Sequence, residues 1–537
     1  MRRRFLLGCL LILLSLSQIV LARRQRSSSI DETTPPRQRA GGGIGAHNPN
    51  DPKKRRRKRR RPKLPRETRK LIKTKTKEAI RLAKQNHLRG AAKIFEEIVE
   101  LSPKDAQYLN NLAVTYMRMK LYHLAEQMLR RARRANPEDP DPIANLKELR
   151  DYLPDTLPFD APSQSKTSQL HHTVKFTRIP YKDFHLPKYE KYRRGRFPYV
   201  LTGAIDHWRN AFEHWSLKYF MDKYPNIDVE HYSRSMVQES VKPVFTKIEY
   251  AYADMTAQSK WYKDKPGVYV QWNLNTQHWN DILSDATKDV ENGGQVNGRR
   301  LPTVFGTDDV WFEKCFENNR NHIDGFLIGT HWRMVLIGSE HAGMFNHRDI
   351  LRSASFQAQL VGSKRWHLCG PSQDEHMYTA GDIDTFRPDY EKFPKTKQAH
   401  CIDDWVVPGE MIFYGRNWWH HTETLPDPVD GRPCVSITGT LTDENNYDGM
   451  VQELSRECGL ELPDGSSTSK LSKRIHLPEG TCKNLPKCFR QWEQDWGTVE
   501  KDLDLQEERD FVNTLVGGEG GQEADWKEEE EEEEGGW

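Results

Sequence analysis

The chain has 537 residues, of which 36% are hydrophobic and 29% are charged. A chain of this length can form two or three domains. Its low hydrophobic content and high charged content exclude a fold in which the whole chain is well packed. The formal net charge of +4 conceals a basic N-terminal part and an acidic C-terminus, so it indicates no class of partner by itself.

The first 22 residues have the pattern of a targeting segment. Arg2, Arg3 and Arg4 precede an apolar run that ends in small residues at Ala22. This order predicts a secretory signal peptide over residues 1–22. The apolar run is also just long enough for a signal anchor that stays in the membrane. Either alternative predicts a location in the secretory pathway lumen (endoplasmic reticulum or Golgi) or secretion.

Residues 23–66 are rich in Arg, Ser, Pro and Gly and predict a disordered basic linker. Within them, Lys53–Arg61 is an unbroken run of basic residues. In a lumen such a run favours binding to polyanions such as sulfated glycans, whereas inside the cell it would favour nuclear import. The targeting segment supports the first alternative, so we expect no specific nucleic-acid partner.

From residue 67 to residue 153 the pattern is helical and repeats. One set of apolar residues and a closing proline recurs 34 residues later in the chain: Ala91, Phe95, Ile98 and Pro103, then Ala125, Leu129, Ala132 and Pro137. This spacing resembles the tetratricopeptide repeat, a helix-turn-helix unit. A third unit begins at Pro140 and is incomplete, so we expect the array to dock on the following domain or on a partner protein. An ordinary pair of amphipathic helical hairpins is the alternative.

Residues 154–172 contain Pro, Ser, Thr and Gln and predict a linker before a domain of residues 173–445. In that domain His347 and Asp349 are separated by one residue, so on a β-strand both side chains would point to the same face. His420 follows an apolar strand and is the candidate third ligand. Two histidines and one carboxylate in this arrangement are typical of a site for Fe(II) with open positions.

Two further residues qualify this interpretation. Lys364 lies in an apolar run on the next predicted strand, and burying a lysine is costly unless it meets an anion. His421 is the alternative to His420, because alternation along a strand lets only one of the two face the metal.

At this point the sequence resembles a known family. The H-x-D pair, a Gly-x-Lys-Arg-Trp strand, Pro-Gly-Glu and Trp-Trp-His are similar to the JmjC family of Fe(II)/2-oxoglutarate oxygenases, and Phe197–Trp208 is similar to the entry into their barrel. The resemblance implies an α+β multidomain protein: a double-stranded β-helix (cupin, jelly-roll) catalytic domain after an all-α tetratricopeptide-like array. It also implies that His347, Asp349 and His420 bind Fe(II), with His420 favoured over His421.

The resemblance further implies that 2-oxoglutarate and dioxygen are cosubstrates and that Lys364 pairs with the distal carboxylate of 2-oxoglutarate. Gln357 would bond the near end of the cosubstrate, and Thr438 and Thr440 would contribute hydroxyls. One position departs from the family pattern: Met344 stands three residues before His347, where many relatives carry a threonine that binds the cosubstrate.

After the barrel, residues 446–515 predict a helical region, and residues 516–537 predict a disordered acidic tail that contains seven consecutive glutamates. Seven cysteines remain beyond Cys9. In an oxidising lumen we expect some to pair, with Cys482 and Cys488 as one small loop, and the odd number leaves at least one unpaired.

These features predict an enzyme, a 2-oxoglutarate-dependent dioxygenase that hydroxylates a protein or peptide side chain in the secretory pathway. One alternative is a nuclear JmjC lysine demethylase, although the sequence has no Cys/His spacing of a zinc-binding histone reader. The other alternative is a non-catalytic cupin scaffold that binds a partner through its helical repeats.

Overall fold

The fold is that of a computed structural model, which describes residues 64–150, 152, 173–193, 197–233, 243–261, 267–288, 315–317, 319–378, 383–442, 446–460, 481–496 and 508–511. The predicted targeting segment 1–22, nearly all of the basic linker 23–66 with Lys53–Arg61, the linker 154–172 and the acidic tail 516–537 lie outside the described residues. Within the described ranges, none of the helices combines the length and apolar character that crossing a bilayer requires.

The N-terminal helices form an array of antiparallel pairs. They are α1 (Arg66–Lys84), α2 (Leu88–Leu101), α3 (Ala106–Arg118), α4 (Tyr122–Ala135) and α5 (Pro140–Leu149). Ala91 and Ala125, which recur in the sequence, are completely buried where neighbouring helices approach each other closely. The Asp105 side chain caps α3 by accepting from the Gln107 amide at 3.0 Å. Pro140 opens α5, where its missing N–H is not needed.

The helical array packs against the β-rich domain. The sequence predicted docking on either this domain or a partner protein. The backbone amide of Leu124 at the start of α4 donates to the Asp254 carboxylate at 2.9 Å. The Tyr122 amide donates to the Ser233 hydroxyl at 2.9 Å, and Ser233 in turn donates to Asp254 at 2.6 Å. Because the first amides of a helix have no partner within it, Asp254 and Ser233 cap α4 from the other domain.

The β-rich domain consists of two sheets. Its strands are β1 (Thr173–Val174), β2 (Arg178–Pro180), β3 (Tyr199–Thr202), β4 (Asp228–Tyr232), β5 (Val244–Lys247), β6 (Tyr269–Asn273), β7 (Arg333–Gly338), β8 (Ala354–Val361), β9 (Ser363–Cys369), β10 (Cys401–Val406), β11 (Glu410–Tyr414), β12 (Trp419–Leu425) and β13 (Cys434–Leu441). The large sheet has the order β2-β3-β11-β8-β13-β7-β6-β4-β5, and the small sheet has the order β1-β10-β9-β12. Among these described strands, only β1 with β10 and β2 with β3 pair in parallel.

The two sheets face each other as in a jelly-roll. Lys364 on β9 of the small sheet reaches Ser436 on β13 of the large sheet, with Nζ and Oγ 3.1 Å apart. The Trp366 ring of β9 lies 5.6 Å from the Tyr414 ring of β11. The predicted fold class, a helical array followed by a cupin barrel, is therefore confirmed.

The two faces of the large sheet have different roles, because successive side chains of a strand point to opposite faces. On β6, Val270 and Trp272 pack outward into the main hydrophobic core, and the Trp272 ring lies 5.8 Å from that of Phe220. Tyr269 and Gln271 point inward between the sheets. The helices of this domain are α6 (Glu190–Arg193), α7 (Arg209–His214), α8 (Leu217–Lys223), α9 (Ile248–Trp261), α10 (Thr276–Ala286), α11 (Arg320–Gly329) and α12 (Asp374–Met377).

Two C-terminal helices, α13 (Tyr447–Cys458) and α14 (Thr481–Trp496), follow the barrel and pack with α11 in a second hydrophobic cluster. The predicted pairing of Cys482 with Cys488 is wrong. The disulfides are Cys315–Cys488, Cys369–Cys401 and Cys458–Cys482. Six residues along one α-helix span about 9 Å, which is too far for a disulfide between Cys482 and Cys488. Of the cysteines in the described ranges, Cys434 alone remains unpaired, and it is buried.

Candidate metal centre

The segment from residue 341 to residue 347 brings the first ligand candidate into the barrel. It lies antiparallel to β12: the Thr424 amide donates to the Ala342 carbonyl at 2.7 Å, and the Thr422 amide donates to the Met344 carbonyl at 3.1 Å. The approach requires glycine at position 343, because a Cβ there would lie 1.8 Å from the Thr422 carbonyl oxygen.

The prediction that His347 and Asp349 share a β-strand is wrong in its local structure. His347 forms a single bridge with His420, and the chain then turns through Leu351 and Arg352, whose φ angles are 63° and 49°. Nevertheless, this irregular backbone brings the two side chains to one point. Leu351 is buried beneath the C-terminal helices, which hold the turn in place.

His347, Asp349 and His420 converge on one small space. Asp349 Oδ1 lies 3.7 Å from His347 Nε2 and 3.5 Å from His420 Nε2. The two imidazole rings are 4.1 Å apart, and the three ligand atoms all lie within 4.8 Å of one another. The structure therefore brings together the three residues that the sequence grouped.

Both histidine rings are oriented by the backbone. His347 Nδ1 lies 2.7 Å from the Phe345 carbonyl oxygen, and His420 Nδ1 lies 3.1 Å from the Trp418 carbonyl oxygen. A proton on each Nδ1 leaves each Nε2 lone pair directed at the common space. Burial and the adjacent His420 ring hold the pKa of His347 well below its usual range, which keeps this ring neutral, the form that binds a metal.

Two hydroxyls orient Asp349, and no sequence motif indicated either of them. Ser355 on β8 donates to Asp349 Oδ2 at 2.6 Å, and Tyr414 at the end of β11 donates to the same oxygen at 3.1 Å. Oδ1 remains directed at the two imidazoles. Asp349 is therefore prepared to offer a metal one oxygen atom and to keep the other in hydrogen bonds.

His421 lies on the opposite face of β12 from His420. Its Nδ1 accepts a hydrogen bond from the Thr385 hydroxyl at 2.8 Å, and its ring packs 4.3 Å from the Phe386 ring. Alternation along β12 thus separates the two histidines, and the geometry favours His420 as the ligand candidate.

Lys364 lies inside the barrel with 1% of its surface exposed. Its ammonium donates to Ser436 Oγ at 3.1 Å and lies 3.5 Å from the Tyr269 hydroxyl. Among the described residues, no carboxylate pairs with it. Burial lowers the pKa of Lys364 to about 8, because a charged amine is disfavoured away from water. The arrangement suits an anionic ligand, and Ser436 and Tyr269 are contacts that the sequence did not reveal.

The three other residues predicted to bind the cosubstrate differ in their burial and in their hydrogen bonds. Gln357 is buried on β8, and its side-chain nitrogen has no hydrogen-bond partner within the described structure. Thr438 already donates to the Phe356 carbonyl at 2.6 Å, so its hydroxyl proton is engaged. Thr440 is half-buried and pairs across the sheet with Ser355, next to the ligand cluster.

Met344 lies inside the barrel in a cluster with Tyr232, Tyr269 and Leu336. Its sulfur lies 3.7 Å from the Gln271 side-chain nitrogen. This position therefore supplies an apolar wall and no hydroxyl, so a ligand held here would depend on Lys364 and its neighbours.

These residues fit the metal and the cosubstrate that the resemblance implies. Two imidazoles and one carboxylate are suitable ligands for Fe(II) in a facial arrangement. A buried lysine without a carboxylate partner suits one end of a dicarboxylate, and the unpartnered Gln357 nitrogen offers a donor between the lysine and the metal candidates.

Comparison with known families agrees with this architecture. A model for the cupin-like domain matches residues 186–438, and a model for the tetratricopeptide repeat matches residues 82–149. The cupin-like match contains His347, Asp349, Lys364 and His420. The repeat match covers the array from the end of α1 to the end of α5.

Several known proteins are similar to parts of the chain. Lysine-specific demethylase JMJ21 of Arabidopsis thaliana is 21% identical over 321 residues, which is 56% of the present chain and 30% of the relative. A homolog of HSPB1-associated protein 1 from Danio rerio is 33% identical over 162 residues, which is 28% of the chain and 32% of the relative. The bifunctional arginine demethylase and lysyl-hydroxylase psr-1 of Caenorhabditis briggsae is 23% identical over 242 residues, with 43% and 53% coverage.

The matched segments span from about a third to about half of the length of these relatives. The chain therefore contains a cupin-like domain of the JmjC type, preceded by tetratricopeptide repeats.

Proposed function

We propose that the chain is an Fe(II)- and 2-oxoglutarate-dependent dioxygenase that hydroxylates a protein or peptide side chain in the secretory pathway. The observation that carries the proposal is the convergence of His347, Asp349 and His420 in a barrel that also holds the buried Lys364. An idle barrel would gain nothing from a buried cation without a carboxylate partner.

Each residue has a defined task in this proposal. His347, Asp349 and His420 would hold the metal, and Ser355 and Tyr414 keep Asp349 in position. Lys364 would bind the distal carboxylate of 2-oxoglutarate, and Gln357 would donate toward its other end. When bound, Fe(II) with 2-oxoglutarate and dioxygen supplies the oxidation that places one oxygen atom on a substrate carbon and releases succinate and carbon dioxide. The barrel walls orient the substrate and exclude water.

Two observations support the location. Three disulfides lie within the described residues, and such bonds persist in oxidising compartments. The apolar segment of residues 1–22 has the composition of a signal peptide or a membrane anchor. In that compartment Lys53–Arg61 is available to polyanions.

The substrate class rests on the relatives and on the repeats. Three similar proteins are named for activity on lysine or arginine side chains, including arginine-specific demethylase JMJ20 of Arabidopsis thaliana. Tetratricopeptide repeats typically present extended surfaces to other proteins. Both favour a polypeptide substrate, with a partner protein recruited by the array.

The test is succinate production from 2-oxoglutarate by the purified protein with Fe(II), beside the variants His347→Ala and Asp349→Ala. We expect slow turnover without substrate in the unaltered protein and none in either variant. Iron-dependent turnover in Asp349→Ala would reject the ligand assignment. If the unaltered protein has no turnover and binds neither iron nor 2-oxoglutarate, the scaffold alternative is correct.

Demethylation is the second candidate, because the names of three relatives include it. Oxidation of an N-methyl group releases formaldehyde, whereas hydroxylation of a side-chain carbon leaves the oxygen on the substrate. Formaldehyde in step with succinate, together with nuclear recovery of the tagged protein, would replace the hydroxylase proposal with this one.

A further inference from the structure

The buried carboxylate of Glu230, inside the barrel, has no role in the proposed function. Glu230 lies on β4 and pairs across the sheet with Gln271 of β6, and its neighbour Tyr232 pairs with Tyr269. Paired residues of antiparallel strands point to the same face. Tyr269 points inward, because its hydroxyl lies 3.5 Å from Lys364 Nζ. Glu230 therefore also points into the barrel.

The other side of β4 confirms this orientation. His231, between Glu230 and Tyr232, points outward, and its Nε2 lies 3.1 Å from the Asp254 carboxylate beneath the helical array. Successive residues of a strand point in opposite directions, so the two observations agree.

Glu230 shares a wall with the ligand cluster. Its cross-strand neighbour Gln271 contacts the Met344 sulfur at 3.7 Å. Met344 and Phe345 belong to the same apolar cluster as Tyr232, and the Phe345 ring lies 5.3 Å from the His347 ring. A continuous wall of side chains thus leads from Glu230 to the metal candidates.

Neutral donors hold the Glu230 carboxylate. The Asn273 amide donates to Oε1 at 2.7 Å, and the Tyr232 hydroxyl donates to Oε2 at 3.3 Å. The one basic side chain of the described residues that lies within 4 Å of it is His331, whose Nδ1 is 3.7 Å from Glu230 Oε1 and whose side chain is 39% exposed. No lysine or arginine of the described residues pairs with Glu230, although only 4% of its surface is exposed.

Several other buried carboxylates of the barrel domain, although not Asp254, are matched by a guanidinium. Asp403 pairs with Arg365 at 2.8 Å, and Glu423 pairs with Arg387. A buried carboxylate that lacks such a match costs free energy unless a cation arrives from outside. At the wall of a pocket, that cation would belong to a ligand.

We propose that Glu230, held in place by Asn273 and Tyr232, binds the positively charged end of a lysine or arginine side chain of the protein substrate. This inference rests on the proposed function, and it makes Glu230 a specificity-determining residue of the same pocket. The charge pair selects cationic side chains over neutral ones, because a neutral side chain would leave the carboxylate without a counter-charge.

The test uses three pools of short degenerate peptides with a fixed central lysine, arginine or glutamine. The readout is succinate production by the full-length protein above the rate without peptide. We expect the lysine or the arginine pool to stimulate turnover at lower concentration than the glutamine pool. In Glu230→Gln, the half-saturating concentration of the effective pool should rise by roughly a factor of ten or more, with a smaller change in maximal rate.

Two variants separate charge recognition from a structural role. Glu230→Asp keeps the charge and should keep the preference for the cationic pool. Asp228→Asn, on the same strand with half of its side chain exposed, should behave like the unaltered protein. An unchanged half-saturating concentration in Glu230→Gln overturns the inference, and so does equal stimulation by the glutamine pool or none by any pool.

A second measurement needs no variant. n-Butylammonium should compete with the effective peptide pool, and n-butanol at the same concentration should not. Absence of competition contradicts the inference even if Glu230→Gln fails to fold. Iron-dependent succinate production without peptide tests the proposed function separately, so a loss there is distinguishable from a loss of cation preference.

Discussion

Asp349 has only one oxygen that it could offer to a metal, because Ser355 and Tyr414 donate to the other. These hydroxyls are not ligands, yet they fix the plane of the carboxylate. Groups of this kind typically change metal affinity by about one to two orders of magnitude. The candidate metal centre therefore depends on contacts between β8, β11 and the irregular segment that contains Asp349.

We expect Tyr414→Phe to weaken binding of Mn(II), a non-oxidising substitute for Fe(II), by roughly tenfold or more, because Asp349 loses a donor. Isothermal titration with Mn(II) measures the effect. Tyr219→Phe is the matched control, since it also removes a tyrosine hydroxyl from an aspartate, Asp285, in a different part of the domain. Equal Mn(II) affinity of Tyr414→Phe and the unaltered protein would contradict the assignment.

Lys364 predicts a pH dependence of cosubstrate binding. Burial lowers its pKa to about 8, so the amine loses its charge as the pH rises through 8. Affinity for 2-oxoglutarate should be highest below pH 8 and should then fall by up to about tenfold per pH unit. Quenching of tryptophan fluorescence under anaerobic conditions measures it.

Lys364→Arg is the control for this pH dependence, because a guanidinium stays charged throughout the range. Its affinity should be lower overall but flat from pH 7 to about pH 10. A decline of the same steepness in Lys364→Arg would assign the titration to another group.

The sequence located the metal candidates because they form short motifs with a fixed order. It did not locate Ser355, Tyr414, Ser436 or Tyr269, since their roles arise from contacts between strands that are far apart in the chain. The β-strand predicted for His347 and Asp349 was wrong, because the left-handed turn at Leu351 and Arg352 has no glycine to mark it. The roles of Lys364, Gln357, Thr438 and Thr440 remain predictions.

At the scale of elements, the site depends on how closely the segment of residues 341–347 approaches β12. A side chain at position 343 would collide with the Thr422 backbone, which cannot move without disturbing the strand that carries His420. The segment and β12 together deliver both histidines, so their separation would disperse the cluster.

We therefore expect Gly343→Ala to abolish Mn(II) binding, measured by the same titration, while circular dichroism still shows a folded protein. Gly90→Ala in α2 is the matched control, since its added Cβ would meet only the flexible end of Leu82 at 3.3 Å. Normal Mn(II) affinity in Gly343→Ala would show that the segment can shift without loss of the site.

The outer face of β12, on which His421 lies, carries an ionic network. Glu423 accepts from His341 at 2.9 Å and pairs with Arg387, which also reaches Asp384. Burial alone would raise the pKa of Glu423, but His341 and Arg387 hold it at about 2. The network ties the chain around Arg387 to the strand that carries His420.

Glu423 should stabilise the fold at neutral pH by on the order of 3 kcal/mol, because its pKa is about 2 in the folded state and about 4.5 in the unfolded state. This stabilisation is present above pH 4.5 and is lost as the pH falls to 2. Urea unfolding of Glu423→Gln should show a deficit at pH 7 that shrinks toward pH 2.5. The exposed Asp222→Asn is the control, and a deficit independent of pH would contradict the ionic explanation.

The pairing of the cysteines could not be predicted from the individual helices and strands. The odd number of cysteines correctly implied a free one, Cys434. The pairing itself depends on which elements meet, and α14 places Cys488 beside Cys315 and Cys482 beside Cys458. Two cysteines that are close in the sequence, such as Cys482 and Cys488, are therefore not expected to pair when both lie on one helix.

At the scale of the whole molecule, the helical array and the barrel share buried contacts. Asp254 is completely buried and accepts from the Leu124 amide, the Ser233 hydroxyl and the His231 ring. The first of these donors belongs to the array and the other two to the barrel domain. The two domains are thus joined through one carboxylate with no contact to water.

We expect the unaltered protein to unfold in one cooperative thermal transition. Asp254→Ala should separate it into two or lower its midpoint markedly, because removal of one member of a buried network costs about 3–5 kcal/mol. Asp228→Ala is the control: its pair with Arg89 also joins the domains but is exposed, which is worth at most about 1 kcal/mol. Calorimetry of the three proteins distinguishes the outcomes, and two transitions in the unaltered protein would contradict a shared core.

Strand β4 serves both domains at once. His231 supports the contact with the array, while Glu230 and Tyr232 on the other face point into the barrel. A foreign repeat array could replace the native one only if it supplied backbone donors at the positions of Tyr122 and Leu124. The array and the barrel are therefore not exchangeable modules in this protein, and we expect natural variation in the repeats to be constrained at the surface that faces β4 and free on the surface that faces away.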